Sequence, residues 1–224
     1  SPGSETKAAV PTASATTEQL GATAERPTAR RTSRPEATVE PTRGPTLTPA
    51  TLEPTREAST VTLTIVYDNN TDAASGSEAL RTSWGFACWV ETEAATVLFD
   101  TGGDGATLMH NLGELGLDPA RVDAVALSHA HRDHTGGLEA LLAAGHAPAV
   151  YAPASFSRSF KEAVGAQTEL FEVTVGSAIA PGIRSTGEIG TGIIEQALVV
   201  DTSEGLVVVT GCAHPGVVEM VQAA

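Results

Sequence analysis

The sequence predicts an α/β fold, one half of a sandwich whose helices lie outside packed sheets. Two observations carry this. Beyond residue 59, short apolar runs and amphipathic stretches follow the order strands, helix, strand, helix, strand, helix, strands, which layered packing of helices on sheets accommodates. The central run, Ala124-Val125-Ala126-Leu127, feeds directly into Ser128-His129-Ala130-His131-Arg132-Asp133-His134-Thr135-Gly136-Gly137, and Leu138, Leu141 and Leu142 follow at helical spacing. That stretch reads strand, ligand loop, helix.

Taken in order, residues 60–67 alternate polar and apolar side chains, the period of a half-buried strand. They end in the turn-rich Asp68-Asn69-Asn70, and residues 71–83 read as a polar connecting loop. Residues 86–90 and 96–99 form a hairpin pattern. Leu108, Leu112 and Leu115 predict a helix over residues 106–115, ended by Gly116, with His110 at its surface. The helix after the histidine loop is expected over residues 136–144, with Thr135 as N-cap and His146 capping its last carbonyls. Residues 149–151 predict a short strand, and Ser155 caps a helix running to about residue 164. Residues 170–174 and 182–185 read as further strands, and residues 196–201 with 206–210 as a second hairpin.

Residues 1–58 contain no aromatic ring and are dominated by Thr, Pro, Ala, Ser, Glu and Arg. Ordering such a segment costs about 1–2 kcal/mol of backbone entropy per residue, with little apolar burial to offset it. Residues 1–58 are therefore expected to be a disordered Thr/Pro-rich linker, and residues 59–224 the folded domain. Seven Lys and Arg balance seven Glu in the linker, so the net charge of −14 falls on the domain, with six basic against twenty acidic residues. That balance argues against nucleic acid and anionic membrane as partners. No apolar run approaches the ~20 residues needed for a transmembrane helix. The chain starts at Ser1 rather than Met, and a Thr/Pro-rich tether ahead of a domain is typical of exported bacterial proteins. This fits a lipid anchor upstream of Ser1; a cytoplasmic tail has the same composition, and the compartment stays open. Cys88 and Cys212 sit in apolar, strand-like contexts and imply no disulfide framework.

Three imidazoles and a carboxylate stand within six residues. Alternate residues leaving an extended strand place His129 and His131 on one side, while Asp133 and His134 fall on the turn. Such donors can converge on one or two divalent metal ions. Zinc is the leading expectation, with iron, manganese and magnesium open. Histidines are common in surface loops, but four ligand-type residues in six, bounded by a buried-type strand and a Gly-Gly helix entry, favour a metal.

HAHRDH resembles the HxHxDH signature of the metallo-β-lactamase fold. Val66-Tyr67-Asp68-Asn69-Asn70, Trp84-Gly85-Phe86, Leu98-Phe99-Asp100-Thr101-Gly102-Gly103, Ser185-Thr186-Gly187-Glu188 and Thr210-Gly211-Cys212-Ala213-His214-Pro215-Gly216 are similar to one branch of that superfamily. The branch's named member is a pterin-phosphate synthase, and the likeness runs from about residue 60 to the end of the chain. It implies an αββα sandwich carrying a mononuclear or dinuclear centre. It also implies that Asp100 organises that centre without binding metal, beside its simpler reading as a turn residue. Cys212 stands where many relatives have aspartate, as a thiolate ligand or an inert thiol. His214 is a further ligand or a helix-start histidine. Glu188 falls near a ligand position of relatives, as metal-binding, substrate-positioning or merely solvated acid. The family's second half, with its last histidine, has no counterpart before Ala224, so the resemblance implies a domain truncated at its C-terminal end.

The function implied is that of a metal-dependent hydrolase. Asp133 would orient an activated water for attack on an ester, lactone or phosphoryl substrate. One alternative is a transferase of the pterin synthase type, for which the domain offers only Arg81, Arg121, Arg132, Arg158, Lys161 and Arg184 to meet phosphates. The other is a metal-binding or sensing module without turnover.

Overall fold

Strands buried on both faces read as near-continuous apolar runs, and residues 87–90, 96–99 and 124–127 are such runs. In the computed structural model, which describes residues 60–70 and 79–224, they form the middle of a six-stranded sheet. Its strands, in spatial order, are β1 (Val61–Tyr67), β2 (Ala87–Thr92), β3 (Thr96–Phe99), β4 (Ala124–Ala126), β5 (Ala149–Pro153) and β6 (Leu170–Val173). The first three pair antiparallel and the rest parallel. Each parallel step is crossed by helix, as parallel pairing requires. α1 (Gly105–Glu114) joins β3 to β4, α2 (Arg132–Thr135) and α3 (Leu138–Ala143) join β4 to β5, and α4 (Arg158–Gly165) joins β5 to β6.

A second, antiparallel sheet has the order β10-β9-β8-β7, from β7 (Val175–Ala180), β8 (Ile183–Gly187), β9 (Leu198–Thr202) and β10 (Gly205–Val209). A final helix, α5 (Val217–Ala223), follows. The period of two sorts the side chains of the first sheet between two cores. Trp89, Leu98 and Val125 pack with Leu108 and Leu112 of α1 and Leu138 and Leu141 of α3. Cys88, Val90, Val97, Phe99, Ala124 and Ala126 pack with Ile183, Leu198 and Val200 of the second sheet. This is the mixed α/β layering expected from the sequence.

Several local expectations change. Thr135 does not cap a helix: residues 132–135 themselves form a helical turn, and the Thr135 hydroxyl donates back to the His131 carbonyl at 3.2 Å. The helix that follows has Gly137 at its N-cap, without a side-chain bond. His146 does not cap that helix either, because its Nε2 lies 2.8 Å from the Val122 carbonyl of another segment. Ser157, not Ser155, caps α4, accepting the Phe160 N–H. β7 was not expected: it is a sheet-edge strand whose Val-Gly-Ser-Ala-Ile-Ala sequence has little alternation, and Val175 is exposed. The half-buried pattern of β1 also misleads. Leu63 and Ile65 share a face with Val90 and Cys88, yet they are exposed while those partners are buried. The linker expected over residues 1–58 lies outside the described residues, as do residues 71–78 of the polar loop. Among the described residues no helix is long and apolar enough to cross a membrane.

Leu98 and Leu63 differ in burial and should differ in cost. Leu98→Ala is expected to destabilise the apo-protein by about 2–5 kcal/mol and Leu63→Ala by much less, with chemical denaturation as the measurement. Equal losses would contradict the described packing.

Candidate metal centre

The ligand loop is built where two parallel strands end side by side. Phe99 of β3 pairs with Ala126 of β4, and the next residue, Asp100, donates its N–H to the Ala126 carbonyl at 2.9 Å. Asp100 then adopts φ 60°, a conformation that Asp tolerates better than most side chains. The following turn meets the histidine loop backbone to backbone. Thr101 N and Oγ1 donate to the His134 carbonyl at 2.8 and 3.0 Å, and Gly136 N donates to the Gly102 carbonyl at 2.8 Å. A Cβ at Gly136 would overlap the Gly103 carbonyl, and one at Gly137 the Thr101 carbonyl. The Gly-Gly pair is what lets the two loops touch.

The Asp100 carboxylate is fully buried and receives three donors from the histidine loop. Ser128 N donates to Oδ1 at 2.6 Å, Ser128 Oγ to Oδ2 at 2.7 Å, and His134 Nδ1 lies 2.6 Å from Oδ2. An ionised carboxylate only accepts, so His134 carries its proton on Nδ1 and turns the Nε2 lone pair outward. Ser128 has spent its one proton on Asp100 and must accept from His129 Nδ1 at 2.9 Å. That leaves His129 Nε2 free as well. One carboxylate thus sets the tautomers of two imidazoles.

Around these outward nitrogens gather two candidate ligand groups, His129 with His134 and Cys212, and His129 with His131 and His214. In each, the donor atoms lie within 4.8 Å of one another. His134 Nε2 is 3.2 Å from Cys212 Sγ, and His129 Nε2 is 3.1 Å from His131 Nδ1. Tetrahedral zinc, with bonds of about 2.0–2.3 Å, spaces neighbouring donors roughly 3.3–3.6 Å apart. These two donor pairs therefore stand near the spacing of neighbouring ligands, and the remaining donors lie within 4.8 Å. His129 and His134 are buried, while His131, Cys212 and His214 are exposed, giving the groups a closed floor and an open mouth. Asp133 Oδ2 lies 3.5 Å from His134 Nε2, at the edge of this assembly. Glu188 is engaged elsewhere, accepting the Ser155 N–H at 2.7 Å, and belongs to neither group.

The electrostatics favour an ion. Burial, with the neighbouring His134, His131 and His214, pushes His129 down to about 3, so it is a neutral donor at any physiological pH. Burial also opposes charge on His134, but the bond to Asp100 and the charges of Asp100, Asp133 and Glu195 hold its pKa above the usual value. Burial raises the Asp100 carboxyl against the pull of His134 and Ser128. Although its side chain reaches the open mouth, the Cys212 thiol is raised by partial desolvation and then by the negative charges of Asp133, Glu195 and Asp100. Two residues passed over in the sequence belong to the arrangement: Ser128, which relays Asp100 to His129, and Glu195, a buried acid accepting the N–H groups of Ala213 and His214. The signal that could have found Glu195 is a charged residue beside Gln196 at the entrance to an apolar strand. A cavity of about 380 Å³ adjoins the open mouth, lined by Gly190, Thr191, Gly192, Ile193, His214, Pro215 and Glu219.

The raised groups, His134 and Cys212, hold protons that a metal must displace, so metal affinity should fall as pH drops from about 8 to about 6. Isothermal titration across that range checks the sign, and an affinity that rises on acidification would contradict it. Cys88 is buried and pushed up to about 11 by that burial and by Asp100. Alkylation of native protein near pH 8 should therefore modify Cys212 and spare Cys88 until the chain is unfolded. Equal labelling of both thiols would refute the described burial.

Comparison with known proteins gives three similarities and a family. The chain is 25% identical over 208 residues to the 7,8-dihydropterin-6-methyl-4-(beta-D-ribofuranosyl)-aminobenzene-5'-phosphate synthase of Methanocaldococcus jannaschii, covering 70% of each chain. It is similar to the crystal structure of a quorum-quenching N-acyl homoserine lactone lactonase, with TM-score 0.47 and 18% identity over 69% of this chain and 73% of that one. It is also similar to the metallo-beta-lactamase fold protein YhfI from Bacillus subtilis, with TM-score 0.49 and 19% identity over 67% of this chain and 61% of that one. The description of the metallo-beta-lactamase superfamily matches residues 85–220, a span holding all the histidines and acids just described, and the chain belongs to that superfamily.

Proposed function

We propose that the protein is a metal-dependent hydrolase of a small ester, lactone or phosphoryl substrate, holding one or two divalent ions, zinc foremost. The single observation that carries this reading is the convergence of His129, His131, His134, Cys212 and His214, with two of the imidazoles set in ligand-ready tautomers by Asp100. His129, His131 and His214 would hold one ion, and His134 and Cys212, with Asp133 beside them, a second. When bound, a divalent ion in such a site supplies Lewis acidity and an activated water.

The remaining work falls to the chain's own groups. Asp133 is partly exposed beside His134 and would orient an attacking water and take up its proton. Asp100, out of solvent, holds the imidazoles still and takes no part in proton transfer. The cavity beside His214 would receive the substrate, and its size suits a small molecule.

A second reading, metal-assisted transfer to an aminobenzene ribose phosphate, is favoured by the similarity to the synthase. Against it, the folded domain offers six Lys and Arg among twenty acids, a poor environment for a substrate with several phosphates.

The test is elemental analysis of the full chain after loading with zinc, joined to a screen of lactones, carboxylic esters, phosphodiesters and the pterin transfer reaction. Metal-dependent turnover of one hydrolysable class is expected. His131→Ala should lose bound metal with far-UV circular dichroism retained, and Asp100→Asn should weaken metal binding by about 10–100-fold. Unchanged stoichiometry in His131→Ala would overturn the ligand assignment. Bound metal without turnover in any assay would leave a binding module.

A further inference from the structure

Glu195 stands three residues ahead of β9, in an isolated antiparallel bridge with Ile189. Its side chain is fully buried, yet among the described residues no Lys, Arg or His forms an ion pair with it. A buried carboxylate is costly unless its oxygens are saturated by hydrogen bonds or a nearby positive charge. Here both oxygens face one short loop: Oε1 accepts the Ala213 N–H at 3.0 Å, and Oε2 accepts the His214 N–H at 2.8 Å. Between Cys212 and His214 that loop is strained, with Ala213 at φ 54°. The same loop supplies the Cys212 thiol to one ligand group and the His214 imidazole to the other.

The loop is tight on its other side as well. A Cβ at Gly211 would overlap the Ser128 hydroxyl and crowd Glu195 Oε1, so this glycine is wedged between the Asp100–Ser128 relay and the Glu195 carboxylate. The Glu195 backbone reaches in another direction. Its N–H and carbonyl exchange hydrogen bonds with Ile189 at 3.0 and 2.8 Å, closing the loop of residues 190–194 that lines the cavity beside His214.

We propose that Glu195 is a positioning residue for the metal centre: it fixes the Cys212–His214 loop so that one thiol and one imidazole complete both ligand groups, and it ties that loop to the wall of the substrate cavity. A bound cation near the loop would in turn offset the buried carboxylate, which has no ion-pair partner among the described residues. This rests on the metal-centre reading above. Glu195→Gln keeps the volume but offers only one acceptor to two N–H donors, so one of the two bonds must fail.

The experiment compares wild type, Glu195→Gln and His214→Ala as full chains, using zinc titration for affinity, cobalt(II) absorption for the thiolate band, and thermal unfolding of the apo-proteins. Glu195→Gln is expected to bind zinc about 10–100-fold more weakly and to lose or shift the cobalt-thiolate band, with near-native far-UV circular dichroism. His214→Ala should weaken zinc binding while keeping that band. Zinc affinity and a cobalt band equal to wild type in Glu195→Gln would overturn the proposal, even if the apo-protein unfolds at a lower temperature, because the residue would then serve the fold alone. Should Glu195→Gln fail to fold, Gly211→Ala is the second variant, since its methyl group displaces the same loop from the other side; wild-type zinc affinity there would overturn the proposal too. Failure of wild type to bind zinc or cobalt would instead remove the metal-centre reading on which the inference stands.

Discussion

A carboxylate buried without solvent must have its oxygens satisfied, and Asp100 is where the structure meets that demand. Its three donors all come from the histidine loop, two from Ser128 and one from His134. The pairing of β3 with β4 brings them within reach, because the parallel register ends both strands at the same level. Once the donors are committed, their remaining polar atoms are committed as well. His134 turns Nε2 toward Cys212, and Ser128 accepts from His129. The geometry of the open mouth is thus inherited from a hydrogen-bonding requirement in the interior.

The site is also a product of both sheets. The carboxyl ends of β3 and β4 supply the floor, as the carboxyl ends of parallel strands commonly do in α/β folds. The second sheet supplies Cys212 and His214 at the open mouth, through the loop that follows β10. Gln196 ties the layers: its N–H donates to the Ser128 carbonyl at 2.9 Å, and its Nε2 donates to the Leu127 and Tyr151 carbonyls at 2.8 and 3.2 Å. The loop bearing His129 is therefore held from both sheets. Asp100, Asp133 and Glu195 surround the imidazoles with negative potential, consistent with a centre organised for a cation in an acidic domain.

Much of this was legible in the sequence where the signal is local. The apolar run into HAHRDH, the hairpin over residues 86–99 and the helix that α1 forms depend on spacing within a few positions, and the structure has them. Where a residue's partner lies in another segment, local reasoning chose the wrong one. His146 bonds the Val122 carbonyl rather than its own helix, and Ser155 gives its N–H to Glu188 while Ser157 takes the cap. Ser128 and Glu195 were missed for the same reason: the partners that give them their roles, Asp100 for one and the Ala213 and His214 N–H groups for the other, lie in other segments.

The sequence by itself determined the kinds of donor available, their clustering on one loop, and the strands and helices that frame it, because periodicity and residue chemistry act over short distances along the chain. Only the tertiary structure decided which donors meet, which nitrogen of each buried imidazole carries the proton, and which acids support them. Asp100 reaches Ser128 across 28 positions, Glu195 reaches His214 across 19, and His134 reaches Cys212 across 78. Contacts at such separations exist only after the sheets have packed, when burial leaves each polar group a single set of partners.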